Sequence, residues 1–107
     1  MRVRKRTEFM ELQAQGEKAS GRHFTVLGAP APGGVWRLGV TVSRKVGNAV
    51  TRNRVKRRIR ESFRRHVVDL RAPWRVVVIA RPSAAEADWE AVFRELGHLL
   101  ARFGRRP

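Results

Sequence analysis

Residues 51–65, TRNRVKRRIRESFRR, constrain the fold more than any other stretch. Eight of the fifteen are Arg or Lys, and Glu61 is the only acid among them. Val55, Ile59 and Phe63 recur at every fourth position, the spacing that aligns side chains along one side of an α-helix. On a wheel of about 3.6 residues per turn, Val55, Ile59, Ser62, Phe63 and His66 share one side. Asn53, Arg57, Arg60 and Arg64 fall near the opposite side, flanked by Arg54, Arg58 and Arg65. Such a helix packs by a narrow apolar stripe and turns a wide cationic face outward. Salt bridges within the helix need acids at i±4, and only Glu61 is available. Like charges at that spacing oppose helix formation, so the face calls for anions from outside the chain. Arginine forks match phosphate oxygens, and the chain holds 20 Arg against 4 Lys.

The rest of the composition agrees. A net charge of +15 and a pI near 12 on 107 residues raise the self-repulsion of a compact state and point to a polyanionic partner. The length suits one domain, residues 1–107, with a basic arm (1–6) and a basic tail (104–107). With 42% hydrophobic residues a small core is available. The chain has no cysteine, which excludes disulfides and thiolate metal sites and fits a reducing cytosol. MRVRKRTEF leads into no apolar h-region, and no apolar run approaches the roughly 18 residues of a membrane span.

The periodicities place the other elements. Thr7 caps a short helix reaching about Gln15, with Phe9 and Leu12 on one side, and Gly16 ends it. His23–Leu27 reads as a strand and Gly28–Gly34 as a turn or loop. Val35–Ser43 alternates, with Trp36, Leu38, Val40 and Val42 on one face and Arg37, Gly39, Thr41 and Ser43 on the other. The basic helix runs from about Asn48 to Val68, with Asn48 or Thr51 as its N-cap. WRVVVIA, residues 74–80, is apolar on both faces and reads as a central strand. Ser83 with Glu86 forms a capping-box pattern opening a last helix striped by Trp89, Phe93, Leu96 and Leu100 and ended by Gly104. The first two strands are expected to form a hairpin and the third to run parallel to one of them. The fold class is α+β, a sandwich of helices on a small mixed sheet.

No catalytic set is legible. His23, His66 and His98 lie far apart in sequence; His66 is expected to pack and His98 to be solvated. Glu86, Asp88, Glu90 and Glu95 read as a soluble face, and Trp36, Trp74 and Trp89 as core residues. Metal-dependent phosphodiester cleavage needs ligands clustered at the scissile phosphate, and none gather in this pattern. Between nucleic acids, nothing resembles a helix-turn-helix partner or a dimerisation element for major-groove reading, which favours RNA modestly.

Residues 46–60, VGNAVTRNRVKRRIR, resemble the signature of the bacterial ribonuclease P protein component, a family with an Arg-Asn-Arg core in its basic helix. Here that core is Arg52, Asn53 and Arg54, preceded by Ala49 and followed by Lys56, Arg57 and Arg60. VTVSRKVGNAV resembles the family's strand and loop entering that helix, while EFMELQAQG, GRHF and VVVIAR sit where it has its first helix, first strand and third strand. The resemblance implies an α/β sandwich like domain 2 of ribosomal protein S5, with a left-handed βαβ crossover that the usual handedness rule does not predict. It implies a cytoplasmic subunit that joins a catalytic RNA and assists endonucleolytic removal of the 5′ leader from precursor tRNA. The catalytic centre and its Mg2+ are expected in the RNA, with no cofactor held by the protein and no obligate protein partner. Arg52, Asn53, Arg54, Lys56, Arg57 and Arg60 are expected on the catalytic RNA, with Lys45 and Asn48 on the adjoining loop and Arg58 and Arg64 on the same cationic side. A leader cleft is expected to use Phe9, Gln13, Arg22 and Phe24, with Arg37 and Thr41 hydrogen bonding from the polar strand face. Gln13 and Leu27 stand where the family often has aromatics. Two other readings share the charge: a structural ribosomal-type RNA binder, which does not account for the signature, and a basic DNA-binding protein, which preference for precursor tRNA over duplex DNA would exclude.

Overall fold

The computed structural model describes residues 16–31, 34–70 and 73–104. The helix expected over residues 7–15, with Phe9 and Gln13, lies outside them, as do the basic arm and residues 105–107. Strands β1 (Glu17–Ser20), β2 (Phe24–Pro30), β3 (Arg37–Thr41) and β4 (Trp74–Ala80) form one sheet in the order β1-β2-β4-β3. β2 runs antiparallel to β1 and to β4, and β3 runs parallel to β4. Helix α1 (Ala49–His66) links β3 to β4, and α2 (Trp89–Gly104) follows β4. The mixed α+β class is the expected one.

β4 explains the strand order. Val76, Val77 and Val78 are all buried, so both faces and both edges of this strand need cover. β2 and β3 therefore pair with β4 on either side and not with each other, and the expected hairpin between them does not form. The hairpin that does form joins β2 to β1, whose sequence EKAS carries no alternation signal. Gly28–Pro30, expected in a loop, belong to β2. At Gly28 a Cβ would come within 3.2–3.3 Å of Val76 and Phe103, so glycine lets α2 pack close to the strand.

Both helices lie on one face of the sheet. Phe24, Val26, Val76 and Val78 meet Val55 and Ile59 of α1 and Val92, Leu96, Leu100 and Phe103 of α2. Asn48 caps α1 as expected, its Oδ1 accepting from the Thr51 N–H at 2.9 Å. The last helix starts later than its capping-box pattern predicts. Pro82–Glu86 form a 3₁₀ turn, Ala87 is extended, and Asp88 caps α2 by accepting from the Ala91 N–H at 2.8 Å. Burial of Ala84 and Ala87 in the core holds the chain in this path and outweighs the local cap. His66 clasps the helices together, as a packing residue: its Nε2 donates to Phe93 O at 2.7 Å and its ring stacks on Phe93 at 4.0 Å. Gly97 makes room for that ring, since a Cβ there would lie 2.5 Å from His66 Cε1.

The opposite face of the sheet is separate. By register, Leu27, Val77 and Ile79 share it with Thr25, Arg37, Gly39 and Thr41. Trp74 is buried and Trp36 packs on the core edge-on to Phe63 at 5.9 Å, whereas Trp89, expected in the core, is half-buried outside it and rests against Phe93 at 5.5 Å.

Candidate nucleic-acid interface

Val55, Ile59 and Ser62 bury the inner side of α1 and fix which side chains face out. Asn53, Arg57 and Arg60 are exposed and make no side-chain hydrogen bond or ion pair among the described residues. The row spans eight residues, roughly 10 Å along the axis. The other cations of the helix are placed differently. Arg54 Nη2 donates to Ala85 O at 3.1 Å and Arg58 Nη1 to Ala87 O at 2.7 Å, so these two tie α1 to the 3₁₀ turn. Arg64 is bound to Glu61 through Nε at 3.1 Å and through Nη2. Arg65 Nε donates to the same carboxylate at 2.9 Å, and its guanidinium sits 5.4 Å from the Trp89 ring centroid. Arg52 and Lys56 are half-buried on the other flank. Lys45 is exposed on the loop before α1, and Asn48 has its side-chain oxygen committed to the cap.

The expected leader residues separate. Arg37 and Thr41 do share a sheet face with Leu27, which is itself buried there. Phe24 does not: it is 0% exposed and points into the helix layer with Val26. Side chains alternate across a strand, so Phe24 and Leu27 fall on opposite faces. Arg22 lies in the β1–β2 turn and lines a groove against α2. Glu95, read as part of a soluble face, instead holds that turn: its Oε2 accepts from the N–H groups of His23 and Phe24, each at 2.8 Å. A Cβ at Gly21 would lie 2.7 Å from that oxygen, so a larger residue there would have to displace the Glu95 carboxylate. His98 is exposed, as expected.

Two guanidiniums on one carboxylate set the acidity of Glu61. Hydrogen bonds from Arg64 and then Arg65 lower its pKa from 4.5 to about 2. The folded pKa is depressed, so any stability from this cluster is present above pH 4.5 and is lost as pH falls through about 2. Glu61 is solvent-accessible, so the titration is a better readout than the stability. Carboxyl NMR shifts should give a midpoint near 2 for Glu61, and Arg64→Gln should move it toward 4.5.

Among the described residues no three His, Asp or Glu side chains gather as metal ligands, and no helix is long and apolar enough to cross a membrane. A small α+β scaffold that turns a row of unpartnered cations outward from one helix has the form of a nucleic-acid-binding protein. Comparison with known proteins makes this specific. A family model described as Ribonuclease P matches residues 1–104. The ribonuclease P protein component of Desulfatibacillum aliphaticivorans is 44% identical over 94% of this chain and 86% of its own length. The structure of the RNase P protein from Thermotoga maritima superposes with a TM-score of 0.86 at 34% identity, covering 96% of this chain and 97% of that one. The Staphylococcus aureus RNase P protein gives 0.83 at 34% identity, covering 92% and 91%. The chain belongs to the bacterial ribonuclease P protein component family. Its role is that of the protein subunit of the ribonucleoprotein that matures tRNA 5′ ends, in partnership with the ribonuclease P RNA.

Proposed function

We propose that α1 docks on the catalytic RNA through Asn53, Arg57 and Arg60, with Arg52, Lys56, Lys45 and Asn48 extending that contact. One observation carries this reading: Arg57 and Arg60 are exposed without partners, whereas Arg54, Arg58, Arg64 and Arg65 are all engaged within the fold. Arg54 and Arg58 act mainly by holding α1 in place, and RNA phosphate competes with Glu61 for Arg64. The substrate is precursor tRNA, its single-stranded leader running past Arg37 and Thr41 on the sheet face away from α1 and α2. Leu27 is only 6% exposed and has no aromatic plane, so hydrogen bonding from Arg37 and Thr41 carries more of the grip than base stacking. The catalytic centre and its Mg2+ reside in the RNA. The protein screens phosphate repulsion between catalytic RNA and substrate, and the assembly works in the cytoplasm.

Cleavage of precursor tRNA at low magnesium tests this, with purified protein, a bacterial ribonuclease P RNA, or both. Activity is expected only with both, yielding a mature 5′ end. No stimulation and no binding to that RNA would overturn the reading, and cleavage by the protein alone would place a catalytic site in this chain.

A further inference from the structure

A second cationic surface lies away from α1. Arg94, His98 and Arg102 recur at every fourth position of α2, all three are exposed, and they span roughly 12 Å. Facing them across a groove of about 700 Å3 is Arg22 on the β1–β2 turn. No guanidinium of the three arginines makes a hydrogen bond or ion pair among the described residues. Glu95 is the one acid lining the groove, and its Oε2 is already occupied by two backbone N–H groups. The groove therefore keeps a surplus of positive charge with free forked donors on both walls. Glu90 stands four residues before Arg94, yet the two make no ion pair among the described residues, so both guanidiniums of α2 stay available to outside anions. The two faces are distinct. α1 packs on β3 and α2, whereas α2 packs on β2 and β1, and the groove shares no lining residue with α1.

We propose that this groove is a second docking site for the catalytic RNA, gripping the phosphate backbone of a segment other than the one held by α1. Two guanidiniums and an imidazole along one wall, with a third guanidinium opposite, suit a strand of phosphates more than a single small anion. The catalytic RNA is the favoured occupant because it is the partner that family membership establishes, and it is large enough to reach two sides of a protein this small. Holding two RNA segments with one rigid sheet makes the protein a brace within the RNA as well as a cover for one site.

The absence of cysteine makes the test direct, because any introduced thiol is unique. Tethering an iron–EDTA probe at His98→Cys, and separately at Val50→Cys in the first turn of α1, generates hydroxyl radicals that cut nearby RNA in the assembled holoenzyme. The expected result is cutting of the catalytic RNA at two different segments. In parallel, Arg94→Gln with Arg102→Gln should make the slope of log affinity for catalytic RNA against log salt less negative by roughly 1.4–1.8, since each phosphate contact contributes about 0.7–0.9. Cutting of one shared segment from both tethers would overturn the proposal. So would cutting from position 98 only in the precursor tRNA, which would make the groove a substrate site. An unchanged salt slope with no cutting from position 98 would reduce it to a solvated face. The altered side chains are exposed, and an unchanged melting temperature separates loss of contact from loss of fold.

Discussion

Alanine at both Arg57 and Arg60 is expected to lower affinity for the catalytic RNA by roughly 25- to 60-fold at about 0.1 M salt. The estimate follows from counterion release: a contact with a slope of about 0.7–0.9 is worth roughly five- to eightfold between 1 M and 0.1 M salt, and two contacts multiply. The salt slope should become less negative by about 1.4–1.8 for the same reason. Neither guanidinium holds anything in the fold, so the melting temperature should not move. Arg64→Ala is the matched control. Its guanidinium is already paired with Glu61, so phosphate gains less from it and the slope should change by less than one full contact. Filter binding or fluorescence titration across a salt series reads all three proteins. An unchanged slope in the double variant would take α1's exposed row off the phosphates.

The legible parts of this protein were those set by neighbours in sequence. α1 follows from a 3.6-residue period and a capping asparagine, and both signals sit within the helix or next to it. β4 announces itself by an uninterrupted β-branched run. What the chain did not disclose depends on partners far away. β1 is four residues without alternation and exists because β2 has an edge to pair. The wheel placed Arg54 and Arg58 at the correct angles beside the cationic stripe, but their acceptors are carbonyls 31 and 29 positions on. Glu95 looked solvated because the two N–H groups it serves lie 71 and 72 residues earlier. The Ser83–Glu86 pattern was a genuine local signal that lost to burial of Ala84 and Ala87. The Arg52–Asn53–Arg54 signature singled out α1, yet could not say which of its arginines are free.

Phe24 is where these two kinds of information disagree most sharply, and the disagreement is measurable. Truncating a fully buried Phe costs about 3–5 kcal/mol through lost transfer energy and the cavity left behind. Phe24 is 0% exposed among Val26, Val76, Val78 and the apolar side of α2, with no open surface toward which the cavity can collapse. At about 4 °C per kcal/mol for a domain near this size, Phe24→Ala should lower the melting temperature by roughly 12–20 °C. That is a large part of a small domain's stability, so loss of leader binding in this variant would not by itself separate a core role from a contact role. Phe24→Leu does separate them. It nearly conserves volume and should cost less than about 1.5 kcal/mol, and it removes the aromatic plane entirely. If Phe24 is core, the folded Leu variant discriminates between precursor tRNA and mature tRNA as the original chain does. If that discrimination disappears while the melting temperature holds within about 6 °C, the ring contacts the leader and its burial here does not describe the assembled enzyme. The alternation of β2 argues for the first outcome: a ring that packs under α2 cannot also lie on the face carrying Leu27, Arg37 and Thr41.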